Sequence, residues 1–108
     1  MNDKVYDIII VGGGPAGLTS CIYSARKQLK TLLVSPDIGG QVSWTSEIEN
    51  YMGYQFITGG ELTKKFEEQV KQFPIEMEIN DEAVSLKKSG DFFSITTKNN
   101  KSFLAKTV

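Results

Sequence analysis

The sequence predicts an α/β fold: a βαβ unit followed by a small antiparallel β-meander, in a domain expected to be incomplete. Three observations carry that expectation. A β-branched run from Tyr6 to Val11 enters a glycine-rich turn, then a helical pattern, then a second apolar run from Thr31 to Ser35. The last third of the chain alternates apolar and polar residues between short turns. The chain has 108 residues, 40% of them hydrophobic, which is one domain's worth or less.

Each element follows from its residues. Tyr6 to Val11 lacks the polar alternation of a half-wet strand and reads as one strand buried on both faces of a parallel sheet. From Pro15, Leu18, Ile22 and Ala25 recur at helical spacing, and Arg26, Lys27 and Lys30 put positive charge where the helix ends. "TLLVS", Thr31 to Ser35, is the second buried strand. Asp37 to Gly60 has no sustained period, yet Trp44, Tyr51, Tyr54 and Phe56 make it a structured loop of the kind that carries function. From Glu61, Leu62, Phe66, Val70 and Phe73 fall on one helix face, and Pro74 blocks continuation. Ile75, Met77 and Ile79 alternate with Glu76 and Glu78 as a strand; "AVSLKK", "FFSITTK" and "FLAKTV" are the meander. The final segment reaches Val108 as if in mid-strand, a candidate open edge.

Composition excludes several function classes. Twelve basic against thirteen acidic residues give a net charge of −1, with no basic block to follow a phosphate backbone or an anionic membrane. Neither nucleic acid nor membrane is expected as a partner, no apolar run approaches the roughly 20 residues of a span, and the chain reads as cytoplasmic. With no histidine, a Ser-His or Cys-His pair cannot be built within the chain, and the one cysteine, Cys21, has no partner for a disulfide or a C-x-x-C pair. Cys21 reads as a small buried helix residue. No catalytic and no metal-ligating residue is expected.

The chemistry sits in "DIIIVGGGPAGL". Gly12, Gly14 and Gly17 stand at the G-x-G-x-x-G spacing of a Rossmann-like dinucleotide turn. Gly12 allows the tight turn, Gly14 lets backbone amides approach a pyrophosphate, and Gly17 lets helix and strand pack closely; Pro15 and Ala16 open the helix whose N-terminus attracts the anion. A nicotinamide dinucleotide, FAD and a turn without a ligand all remain open at this point. The acidic residue expected about 20 positions on, as the ribose acceptor, is replaced by Ser35, with Asp37 two residues further as another candidate.

"GGQVSWTSEIENYMG", Gly39 to Gly53, taken with "DIIIVGGGPAGL", resembles the first FAD-binding segment of thioredoxin reductases and of the related flavoprotein subunit of alkyl hydroperoxide reductase. The likeness covers essentially the whole chain and is most specific at Gly39-Gly40-Gln41 and Glu49-Asn50-Tyr51. It implies that Gly40 and Gln41 run beside the FAD diphosphate and ribityl chain, that Asn50 lies near the isoalloxazine, and that the backbone around Ala83 meets the adenine. The amides of Gln41 and Asn50 can both donate and accept, as the polar edge of a flavin requires. Two departures stand out: Ser35 where many relatives carry an acid, and Trp44 where several carry a small hydroxyl residue, so that Trp44 either anchors the loop to the core or stacks near the flavin.

By the same resemblance, residues 1–108 form the N-terminal part of an FAD-binding domain. The nicotinamide domain, the redox-active C-x-x-C and a second FAD-contacting segment are expected beyond Val108. The complete enzyme is expected to pass electrons from NADPH through FAD to a disulfide and on to a thioredoxin-like partner, with NADH and ferredoxin as other donors the chain does not discriminate. The isolated chain is expected to be inactive and prone to self-association, with a homodimer as its simplest form. Another FAD- or NAD-binding Rossmann oxidoreductase, or a stand-alone nucleotide-binding module, is the alternative.

Overall fold

A computed structural model describes residues 4–108. The elements in chain order are β1 (Val5–Tyr6), β2 (Ile8–Val11), α1 (Pro15–Arg26), β3 (Thr31–Ser35), a 3₁₀ turn (Gly40–Trp44), α2 (Gly59–Val70), β4 (Glu76–Ile79), β5 (Ala83–Ser89), β6 (Phe92–Thr97) and β7 (Ser102–Ala105). They form two sheets. β2, β3 and β4 are parallel in that order, with Ile9 opposite Leu32 and Leu33 opposite Met77. β5, β6 and β7 are antiparallel neighbours, and β1 lies parallel to β7 at the far edge.

Strand alternation divides the core in two. On one face of the parallel sheet Ile9, Leu32 and Val34 pack against Tyr6, Ile95 and Ala105 of the meander sheet. On the other, Ile10 and Leu33 pack against Leu18 and Cys21 of α1 and Val70 of α2. All five residues of β3 are therefore buried, as an apolar run without alternation requires. The result is three layers: helices, parallel sheet, meander.

Three expectations need correction. The run from Tyr6 to Val11 is two strands in different sheets, split at Asp7. The Asp7 carboxylate accepts the Lys30 N–H at 2.7 Å and pairs with Lys106 at 3.2 Å, and these contacts hold it below the usual carboxylate range. A carboxylate cannot continue a buried strand, so it marks the exchange between sheets. Helix α2 starts at Gly59 rather than Glu61 and ends at Val70, leaving Phe73 in the following turn. Pro74 disfavours helical backbone at the residue before it, which brings the helix to a close early. Finally, β7 ends at Ala105 and lies inside its sheet between β6 and β1, so it is not an open edge. Past it, Lys106 N–H donates to the Tyr6 carbonyl and Ile9 N–H to the Thr107 carbonyl, both at 3.0 Å. The segment thus follows β1 and β2 across from one sheet to the other.

Among the described residues no helix is long and apolar enough to cross a membrane.

Candidate dinucleotide-binding site

The expected turn joins β2 to α1 at the carboxyl end of the parallel sheet. Gly12 has φ +103°, a left-handed conformation that favours glycine, and its N–H donates to the Val34 carbonyl at 2.9 Å. A Cβ on Gly17 would collide with the Gly12 carbonyl oxygen, so the third motif glycine permits the contact between helix and turn. Gly14 is the N-cap residue of α1 and contributes no side-chain cap; Pro15 follows, and no acidic residue occupies the first turn. The first intrahelical bond runs from Leu18 N–H to the Gly14 carbonyl at 2.9 Å, so the N–H groups of Ala16 and Gly17 precede the ladder. A Cβ on Gly12 or Gly14 would meet nothing within 4 Å, so the space before this helix end is open. An uncapped N-terminus with amides facing open space is suited to a diphosphate.

A second glycine turn packs against the first. Gly39 N–H donates to the Gly13 carbonyl at 2.6 Å, and a Cβ on Gly40 would stand 3.4 Å from the Gly14 Cα. Gly40 therefore reaches the turn between β2 and α1, and Gln41 follows it, exposed, on the 3₁₀ turn. Behind Gly39 lies Thr63 of α2, whose buried hydroxyl has no hydrogen-bond partner among the described residues. Nothing in the sequence pattern signals that contact.

Ser35 ties the two turns together from below. It is 2% exposed; its hydroxyl accepts the Gly13 N–H at 2.9 Å and donates to the Asp37 carbonyl at 2.6 Å. Gly13 is thus turned inward, a role the motif spacing does not reveal. Asp37 is exposed, and its Oδ1 accepts the Gly40 N–H at 3.2 Å.

The other candidates lie further out. Ala83 is half-buried at the start of β5 and shares an open groove of about 360 Å³ with Val11, the residue before Gly12. Asn50 is exposed on the loop beyond Ile48, which bridges to Ile57. Trp44 is 76% exposed and anchors nothing in the core. Tyr51 does so instead, its ring 6.1 Å from that of Phe66. Cys21 is fully buried, and burial pushes its thiol up to about 11, so it is a packing residue.

Comparison with known proteins agrees with this geometry. The family model described as pyridine nucleotide-disulphide oxidoreductase matches residues 6–108. A thioredoxin reductase of Bacillus subtilis is 44% identical over 80 residues, which are 73% of this chain and 25% of that protein. An alkyl hydroperoxide reductase component of Staphylococcus epidermidis is 39% identical over 108 residues, 99% of this chain and 21% of that protein. The crystal structure of Lactococcus lactis thioredoxin reductase in its FR conformation superposes with a TM-score of 0.88 at 39% identity, covering 94% of this chain and 33% of that one. The chain thus spans a fifth to a third of the length of these relatives.

Proposed function

The chain belongs to the pyridine nucleotide-disulphide oxidoreductase family, and from that membership we propose that it is the FAD-binding portion of a thioredoxin reductase-like flavoprotein. The observation that carries this reading is the uncapped, glycine-bounded N-terminus of α1 with Gly40 packed against it. In this reading the N–H groups of Gly14, Ala16 and Gly17 and the helix dipole hold the diphosphate, while Gly12, whose N–H is bonded to the Val34 carbonyl, shapes the turn and Pro15, which has no N–H, opens the helix. Gly40 and Gln41 continue along the diphosphate and ribityl chain, Ser35 supports the turn from beneath, Asn50 serves the isoalloxazine, and the Ala83 backbone meets the adenine. Bound FAD supplies the two-electron relay between a reduced nicotinamide donor, NADPH, and a cysteine pair that serves a thioredoxin-like partner.

This chain's own residues bind and orient. With no histidine, and with its one thiol buried and protonated at neutral pH, it offers neither an imidazole nor a dithiol. We accordingly assign the disulfide chemistry to the complete enzyme and none to these residues alone.

The test is flavin occupancy of the complete protein and of its Gly14→Val variant. A Cβ there meets nothing within 4 Å, and a branched side chain extends from it into the space assigned to the diphosphate. The expected result is a yellow wild-type protein and a folded variant that loses flavin affinity by roughly a hundredfold or more, the size of losing two or three charge-assisted hydrogen bonds. A variant as yellow as the wild type would exclude the diphosphate assignment.

A further inference from the structure

The exchange of an acid for Ser35 leaves the ribose of the bound nucleotide without its usual acceptor. Ser35 cannot fill that role. It is 2% exposed, and its hydroxyl proton is given to the Asp37 carbonyl at 2.6 Å while Gly13 N–H occupies its oxygen at 2.9 Å. Asp37 has the opposite character. It is exposed, and Gly40 N–H holds its Oδ1 at 3.2 Å, with no bond to Oδ2 among the described residues. Gly40 in turn lies against Gly14, so this carboxylate is fastened to the rim of the open space before α1. An exposed carboxylate secured by one oxygen, with no protein bond to the other among the described residues, suits a vicinal diol, whose two hydroxyls are both donors.

We propose that Asp37, rather than Ser35, accepts the adenosine ribose hydroxyls of the bound dinucleotide, and that Ser35 is a positioning residue that holds Gly13 and Asp37 in register. The assignment rests on the FAD reading above. It also states what the serine contributes. The ribose acceptor has moved two residues along the chain, onto a turn that the Ser35 hydroxyl closes.

The discriminating experiment measures the affinity of the complete apoprotein for FAD and for an FAD analogue whose adenosine ribose lacks both hydroxyls, by quenching of flavin fluorescence. Wild-type protein should prefer FAD by roughly tenfold or more, the value of hydrogen bonds to a charged acceptor. Asp37→Asn should bind the two ligands within about twofold of each other, because the neutral amide is a weaker acceptor. Ser35→Ala should weaken both ligands alike and keep the wild-type preference, and Ser35→Thr, which retains the hydroxyl, should restore affinity. A wild-type preference surviving in Asp37→Asn overturns the assignment, as does its selective loss in Ser35→Ala. Failure of the wild-type protein to bind FAD at all overturns the cofactor reading and this assignment with it, a result distinct from either variant outcome.

Discussion

Helices α1 and α2 are both 12 residues long, and their N-termini are opposites. At α2 the Thr58 hydroxyl accepts the Glu61 N–H at 3.1 Å while the Glu61 carboxylate takes the Thr58 N–H at 3.2 Å and its hydroxyl at 2.8 Å. This capping box satisfies orphan donors internally and brings a negative charge to the positive end of the dipole. At α1 the cap is a glycine, the next residue is a proline, and the first turn has no acid. One helix end is closed by its own side chains; the other is left for something from outside. Stability alone would favour a cap at both ends, and the bare end is the one we assign to the ligand.

The contrast is abolished most directly by giving α1 what α2 has. Gly14→Asp places a carboxylate at the N-cap, where φ is −76° and a Cβ meets nothing within 4 Å. The fold should gain a few tenths of a kcal/mol, since aspartate caps better than glycine. Flavin binding should fall by roughly a hundredfold or more, because the carboxylate competes for the amides a diphosphate needs and repels it. Denaturant titration and flavin absorbance on the same sample report the two effects in opposite directions.

The converse change removes the cap from α2. Thr58→Ala should cost about 1 kcal/mol of stability in denaturant unfolding and leave flavin affinity where it was. A smaller, pH-dependent effect separates the two helix ends further. Hydrogen bonds from the Thr58 hydroxyl and N–H lower the Glu61 pKa from its ordinary 4.5. A folded-state pKa below the unfolded one means a contribution fully present above pH 4.5 and lost as pH falls through the folded value. The stability deficit of Glu61→Gln relative to wild type should therefore be largest near neutrality and shrink in acid, as equilibrium unfolding at several pH values would show.

Local pattern makes much of this legible. The glycine spacing, the apolar run of β3 and the period of two in β4 each speak within a few residues, and the βαβ unit follows from them. The pairing of β1 with β7 does not, because a two-residue strand has no period and its partner lies at the other end of the chain. Asp7 is the available signal: an acid interrupting a β-branched run asks for a partner, here Lys30 N–H and Lys106. In the site, motif spacing points to Gly12, Gly14 and Gly17, and the family likeness to Gly40. The inward bond of Gly13 to Ser35 and the position of Thr63 behind Gly39 depend on tertiary approach, which no local pattern encodes. Of the two readings of Trp44 the core anchor fails, because it is 76% exposed and Tyr51 makes the contact with α2 instead.

The division of the N-terminal run at Asp7 also orders events in time. A ribosome releases Val5 and Tyr6 about a hundred residues before their partners Leu104 and Ala105. β2, by contrast, can pair with β3 as soon as the intervening helix has been made. β1 is thus seated later than β2, which it immediately precedes in the chain. Pairings of such long range are slow because the entropy of closing the loop precedes the reward of contact.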